Sequence, residues 1–232
     1  MDDAVNRVRA PAAQQSVRPR LNLNAIEASL RAVQRAFPQI NARLQTVREP
    51  LSDEVIDNLM AGYGFIDTAT AAGLDLFAPG NLKYLLELNR LVLCGGDSRK
   101  LEDYADHIDA TEAHFYGHNE GGIGRIIEWH AGHRHRSPWR RAAGVYVHVL
   151  SEPQLYIEGN HRCGALIMSY LLAREHKPPF VLTVDNAKAY FDPSTLITAT
   201  RKTSFALLFK LPHLGRDFAQ FLKAQADDRY LL

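Results

Sequence analysis

Residues 153–162 read Pro153-Gln154-Leu155-Tyr156-Ile157-Glu158-Gly159-Asn160-His161-Arg162, and they predict a loop that leads into a helix. Gly159 permits backbone geometry that brings amides close to a ligand. The first amides of a helix beginning at Asn160 have no partner within the helix, and the helix dipole favours an anion there. Arg162 adds a guanidinium suited to phosphate, and Glu158 adds a hard oxygen ligand suited to Mg²⁺. The segment therefore predicts a site for a phosphate-bearing anion.

The same residues also have a purely structural interpretation. In it, Asn160 is an ordinary N-cap, Gly159 is a turn residue, and Glu158 and Arg162 form a surface ion pair. Physical chemistry alone leaves both interpretations open.

The segment resembles the signature of the Fic/Doc (Fido) family, which reads His-Pro-Phe-x-Asp/Glu-Gly-Asn-Gly/Lys-Arg-x-x-Arg. The correspondence places Tyr156 at the aromatic position, Glu158 at the acid, Gly159 and Asn160 at the Gly-Asn pair, His161 at the Gly/Lys position and Arg162 at the first arginine. The resemblance covers about residues 137–195, and it includes Pro178-Pro179-Phe180 and Tyr190-Phe191 after the signature.

This resemblance implies transfer of a nucleotide moiety, usually AMP from ATP, to a protein hydroxyl. In that scheme the family histidine is the general base, and Glu158 holds Mg²⁺ together with ATP or another nucleotide. The phosphates are held by Gly159, Asn160, His161 and Arg162. The expected partners are therefore a nucleotide or phosphate and a protein target.

Two positions depart from the family pattern. Gln154 stands at the histidine position, and Ala165 stands at the second arginine. A glutamine amide cannot take a proton at neutral pH, and loss of a general base typically costs ~10² to 10⁴ in rate. We therefore expect phosphate binding to be retained while transfer is weakened, altered or lost.

A replacement base and a different function are the alternatives. His161 and His148 are the candidate bases, and their structural interpretations are a solvated first-turn side chain and a packed helix residue, respectively. The alternative function is a non-catalytic protein-interaction module or effector on the same helical scaffold.

The fold class expected from the sequence is all-α, a helical bundle of Fic/Doc type to which the resemblance adds a small β-hairpin flap. Residues 1–20 read as a flexible arm, and residues 21–232 as one domain with the signature core at about 137–195. Apolar spacing predicts a helix from Asn24 that Pro38 interrupts, and another from Ser52 that loosens at Gly62 and Gly64. Further helices are predicted at about 82–94, 101–118, 123–129, 137–151, 160–174, 185–191, 194–200 and 215–226, with a short extended piece at 180–183.

Composition limits the classes of partner. Lys and Arg number 27 against 26 Asp and Glu, so no global field steers the chain to nucleic acid or membrane. No apolar run approaches the ~18 residues of a membrane span. Cys94 and Cys163 lie in apolar stretches and read as buried thiols rather than a disulfide, which favours a reducing compartment. We expect a cytoplasmic, bacterial protein, with secretion as an effector as the alternative.

Three local clusters offer other chemistry. His114, His118, His130, His133 and His135 have spacings that can hold a metal ion such as Zn²⁺, or they belong to a solvated loop. A basic patch is formed by Arg134, Arg136, Arg140 and Arg141 with Trp139, and it could contact RNA, DNA or an acidic partner. A solvated helix start is the simpler interpretation, so nucleic acid is not the expected partner. Cys163 in the first turn of the signature helix is a candidate nucleophile.

Overall fold

The computed structural model describes residues 18–117, 121–200 and 205–232, with the backbone alone for 205–211. Its described part is all-α, as expected: it contains ten α-helices and one 3-10 turn, and no strand. The helices are α1 (Leu23–Asn41), α2 (Asp53–Ala72), α3 (Lys83–Cys94), α4 (Ser98–Asp103), α5 (Ala105–Phe115), α6 (Ile123–Gly132), α7 (Pro138–Leu150), α8 (Asn160–Ala173), α9 (Ala187–Thr198) and α10 (Phe205–Ala224), and the 3-10 turn is Asp228–Tyr230. The expected β-hairpin flap has no counterpart in these ranges.

Helix α8, which follows the signature loop, is the centre of the fold. It packs against α7, α2 and α3, while α7 also packs against α10 and α6. A helix that is apolar on nearly every side belongs in a core. The buried side chains of α8 include Cys163, Leu166, Met168, Tyr170 and Leu172. The first turn of α8 differs, because its polar side chains His161 and Arg162 are only partly buried.

Helix α2 begins as predicted and continues past its glycines. Ser52 is the N-cap, and its Oγ accepts a hydrogen bond from the Val55 amide at 3.2 Å. The predicted loosening at Gly62 is wrong because Gly62 is the contact between α2 and α8. A Cβ atom at Gly62 would lie 2.4 Å from a methyl carbon of Leu166. Glycine here lets two helices approach each other closely.

Two helices continue through a proline at which the sequence predicts an interruption. Helix α1 continues through Pro38, and α9 continues through Pro193, which merges two predicted short helices into one. Proline removes one intrahelical hydrogen bond, but burial of a helix face supplies most helix stability in a protein. Phe37 and Ile40 are buried on either side of Pro38, and Ser194 and Ile197 are buried after Pro193.

Other predicted boundaries moved by a few residues or more. The N-cap of α1 is Asn22 and not Asn24, since the Asn22 side chain accepts from the Ala25 amide at 3.2 Å. The predicted helix at 101–118 is divided at Tyr104 into α4 and α5. The last helix, α10, begins ten residues before Gly215, and 180–183 is not a strand.

The two ends of the described chain lie together. Leu21 forms an isolated antiparallel bridge with Leu231, and the Leu232 amide donates to the Arg20 carbonyl at 2.9 Å. The Arg20 guanidinium pairs with the buried carboxylate of Asp67 at 2.6 Å, so Arg20 is packed on α2. Residues 1–17 of the expected arm lie outside the described residues.

Two further expectations concern the cysteines and the length of the helices. Cys94 and Cys163 are free, buried thiols. Across residues 18–117, 121–200 and 205–232, each helix is too short or too polar to cross a bilayer.

Candidate functional site

The signature loop joins α7 to α8 and is anchored on two helices. The Leu155 amide donates to the Val149 carbonyl of α7 at 3.1 Å. The buried Tyr156 hydroxyl donates to the Leu85 carbonyl of α3 at 3.0 Å. The aromatic position of the signature therefore fixes the loop to the core.

Asn160 holds the loop closed from the start of α8. Its Oδ1 accepts from the Tyr156 amide at 2.8 Å, and its Nδ2 donates to the Tyr156 carbonyl at 2.7 Å and to Gln154 Oε1 at 3.0 Å. The residue is 4% exposed. Asn160 is thus the first helical residue and not the N-cap, and both of its side-chain donors are already bonded within the protein.

Gln154, at the position of the family histidine, is tied to the loop and to a neighbouring helix. Its Nε2 donates to the Leu150 carbonyl at 3.3 Å, and its Oε1 accepts from Asn160. Its backbone carbonyl accepts from Nε2 of His114 on α5 at 2.8 Å. His114 is therefore the imidazole bonded to this position, a role that its spacing from His118 did not reveal.

Gly159 and Asn89 set the geometry of the turn into α8. Gly159 has φ +79°, a left-handed conformation that favours glycine, and a Cβ there would lie 3.1 Å from Asn89 Nδ2. Asn89 is 3% exposed, and its Nδ2 donates to the Glu158 carbonyl at 2.9 Å and to Cys163 Sγ at 3.3 Å. Asn89 is spaced with Leu85, Leu88 and Val92 on one face of α3, and this spacing is the sequence signal that could have identified it as buried.

Glu158 and Arg162 do not form the ion pair of the structural interpretation. Glu158 is exposed, whereas Arg162 Nη1 donates to the Val92 carbonyl at the end of α3, at 2.9 Å. Asn58 donates to the same carbonyl at 3.3 Å. In the described part of the chain, Arg162 has no carboxylate within ion-pair distance.

Arg162 lies on the wall of two adjoining cavities, which we call the α8 cleft. The outer cavity measures about 380 Å³ and the inner one about 80 Å³. They share the side chains of Leu51, His161, Arg162 and Phe191. Of the candidate site residues, His161 and Arg162 thus line the cleft, whereas Gln154, Glu158, Gly159 and Asn160 are not among its lining residues.

A second arginine, from the segment after α1, lines the outer cavity. Arg48 Nη2 donates to Thr195 Oγ1 at 2.6 Å, and its guanidinium carbon lies 5.7 Å from the centroid of the Phe191 ring. Arg48 likewise has no carboxylate partner within 4 Å in the described ranges. Sequence reasoning missed Arg48 because it lies more than 100 residues before the signature.

The inner cavity is apolar. Its walls include Leu30, Leu59, Tyr63, Phe180 and Ala165, which stands at the position of the second family arginine. An arginine in place of Ala165 would carry its charge into this apolar space, whereas alanine leaves it open. The cleft therefore combines a cationic mouth with an apolar interior.

His161 is partly buried between the two cavities rather than solvated. Burial first, and the nearby charge of Arg48 second, lower its pKa to about 4. Its Nδ1 is buried with no hydrogen-bond partner among the described residues. His161 is neutral at pH 7, so it offers hydrogen bonding rather than charge, and it is a weak base.

The other candidates from the sequence lie elsewhere. His148 packs against Trp129, with ring centroids 5.1 Å apart, and it does not line the α8 cleft. Cys163 is fully buried, which raises the pKa of its thiol to about 12 and makes it an unsuitable nucleophile.

The histidines do not form a metal centre in the part of the chain that the structure describes. His130 is buried and stacked on Phe77 at 4.7 Å, whereas His133 is stacked on Trp129 at 4.2 Å. No cluster of three or more His, Cys, Asp or Glu with metal-binding geometry occurs within the described ranges. His118 lies outside them.

No protein-family model, curated protein or solved structure matches the chain at a significant level. The relation to the Fic/Doc family is therefore a hypothesis that depends on the signature residues and on the helix–loop–helix that carries them.

We predict that His161 makes the protein less stable in acid. Between pH 6.5 and pH 4 the unfolded chain binds a proton at His161 that the folded chain does not, so stability falls as the pH falls through this window. From pH 7 to pH 4.5 the loss is roughly 2 kcal/mol. Urea unfolding at both pH values measures it, and His161→Gln should remove that part of the loss.

The matched control is His135→Gln, which changes an exposed histidine. That variant should keep the pH dependence of the unmodified chain. An equal pH dependence in His161→Gln and the unmodified chain would mean that His161 titrates normally in the fold.

Proposed function

We propose that this chain is a Fic-like protein that binds a nucleotide or another phosphate-bearing ligand in the α8 cleft, with AMP-type transfer to protein hydroxyls weakened, altered or lost. One observation carries the proposal. Arg48 and Arg162, both without a carboxylate partner in the described ranges, line a cavity of about 380 Å³ at the first turn of α8.

The charge and size of the cleft support an anionic ligand. Guanidinium groups bind phosphate in a forked, charge-assisted geometry, and the first amides of α8 add partial positive charge. Glu49 is the one acidic residue among the residues that line the outer cavity. A cavity of this volume lies within the usual range for small-molecule sites, roughly 300 to 1,000 Å³.

Glu158 is suited to hold Mg²⁺ in this proposal. Its carboxylate is exposed and makes no ion pair with a described residue. Mg²⁺ is typically bound by one or two carboxylates together with phosphate oxygens and water, so a single glutamate fits that role. When bound, the ion would neutralise part of the phosphate charge.

The chemistry of the remaining residues supports weakened or lost transfer. The Gln154 amide has no basic atom, and its two polar groups are bonded to Leu150 of α7 and Asn160 of α8. His161, the other candidate base, has a pKa of about 4. A cytoplasmic location, where nucleotides and target proteins are present, is part of this proposal.

A non-catalytic protein-interaction module or effector is the second candidate. The observation that favours it is Ile157, which is 49% exposed at the tip of the signature loop. The hydrogen bonds of Asn160 and Tyr156 fix this loop, so it would present the Ile157 side chain to a partner in one conformation. In this candidate the α8 cleft stays empty of nucleotide.

Calorimetric titration with ATP and ADP, each with and without Mg²⁺, tests the first proposal. We expect binding, and we expect Arg48→Gln to weaken it by about 10- to 100-fold because a charge-assisted contact to phosphate is lost. Arg35→Gln is the matched control, since Arg35 is exposed on α1 and does not line the cleft. Absence of binding at millimolar nucleotide would contradict the proposal and leave the interaction module.

A further inference from the structure

A further cavity, separate from the two of the α8 cleft, lies between α6, α7 and α10, and we call it the basic pocket. It measures about 120 Å³. The aromatic and basic side chains that line it are Trp129, His133, Arg136, Arg140, His148 and Arg216. None of them lines the α8 cleft. The pocket brings part of the basic patch seen in the sequence together with an arginine from a distant helix.

The charges of the basic pocket are not balanced. Arg136, Arg140 and Arg216 have no carboxylate within 4 Å in the described ranges, and no acidic residue is among those lining the pocket. Arg141, from the same basic patch, differs because it pairs with Glu175 at 2.7 Å. Like charges gathered at one site repel each other, so the arrangement favours a bound anion.

Packing and a hydrogen bond hold the side chains of Trp129 and His133 in place at the floor of the pocket. The indole ring of Trp129 packs on α7 at Gly144, where a Cβ atom would overlap the ring. His133 stacks on Trp129 at 4.2 Å between ring centroids, and its Nδ1 donates to the Trp129 carbonyl at 2.6 Å. This bond fixes the ring, which leaves His133 Nε2 as its remaining polar atom.

We propose that the basic pocket binds a phosphoryl group, either of a small anion or of a lipid headgroup. Three guanidiniums on two helices and a loop match the several oxygens of a phosphate, and each can donate two parallel hydrogen bonds. Ser137 caps the start of α7 beside Arg140, so the helix dipole adds to the field. A volume of about 120 Å³ accommodates a phosphate or pyrophosphate rather than a whole nucleotide.

Calorimetric titration of the whole chain with pyrophosphate tests the proposal. We expect binding that falls at least tenfold in the double variant Arg136→Gln/Arg140→Gln. Arg134→Gln is the control, because Arg134 lies in the same loop and does not line the pocket. Both arginines of the double variant are exposed, so its melting temperature without ligand should not fall.

Two more experiments identify which cavity binds the phosphate and whether the phosphate belongs to a free anion or to a lipid headgroup. The same titrations are made in an Arg48→Gln background, which weakens any binding of pyrophosphate in the α8 cleft. The tenfold loss in the double variant should persist in that background, so failure of the nucleotide proposal and failure of this one are distinguishable. Co-sedimentation with phosphatidylcholine vesicles containing phosphatidic acid assigns a lipid headgroup if binding occurs there alone and is lost in the double variant. Absence of both kinds of binding, or binding unchanged in the double variant, would overturn the proposal.

Discussion

Replacing Gln154 with histidine is expected to raise the transfer of AMP from ATP to protein by about 10² to 10⁴, the usual contribution of a general base. This expectation rests on the proposed Fic-like function, in which Gln154 takes the position of the family histidine. The loop around Gln154 is already held by Asn160 and by the Leu150 carbonyl. Arg48 and Arg162, which line the α8 cleft, are unchanged by this substitution. The measurement is incorporation of label from ATP labelled at the α-phosphate.

Gln154→Ala is the matched control, because it removes the amide without adding a base. It should show no more transfer than the unmodified chain. If Gln154→His binds nucleotide but transfers no label, a Fic-type reaction is not the chemistry of this site. If the unmodified chain transfers label at a rate that Gln154→Ala does not change, another base is acting, and His114, bonded to the Gln154 carbonyl, is the first to test.

Asn160→Ala is expected to lower the free energy of unfolding by about 2 to 4 kcal/mol, because buried polar groups would lose their partners. Three hydrogen bonds connect the Asn160 side chain to Gln154 and to both backbone groups of Tyr156. Alanine would leave the amide and carbonyl of the buried Tyr156 without those bonds. Urea unfolding at neutral pH measures the change.

Asn24→Ala is the control for this substitution. Asn24 is exposed on α1 and is not its N-cap, so its removal should change stability by less than about 0.5 kcal/mol. A loss below about 1 kcal/mol in Asn160→Ala would show that the loop does not depend on this residue.

Local patterns predicted the parts of the fold that depend on neighbouring residues. Ser52 and Ser137 cap α2 and α7 as their sequences indicate, because an N-cap bond spans three residues. The prediction failed at Gly62 and Pro38, where contacts between helices decide the outcome. A glycine that admits Leu166 from α8 cannot be distinguished by local sequence from a glycine that ends a helix.

The candidate site divides in the same way. The loop and helix start at 153–162 are local, and the sequence predicts both. Arg48, Asn89 and His114 come from three other segments, and only packing brings them to the cleft or loop. His161 is different, because the sequence predicts its position at the start of α8 but not its environment. Its lowered pKa depends on burial and on the charge of the distant residue Arg48.

The pairing of the chain ends has a consequence for protein synthesis. Asn22, which caps α1, donates its backbone amide to the Tyr230 carbonyl at 2.9 Å and its side-chain amide to the Arg229 carbonyl at 3.0 Å. The side-chain bond joins residues 207 positions apart. A ribosome makes α1 long before it makes residues 229–232, so a nascent chain carries its first described helix without these contacts. The start of α1 therefore reaches its native environment only when translation has passed residue 232.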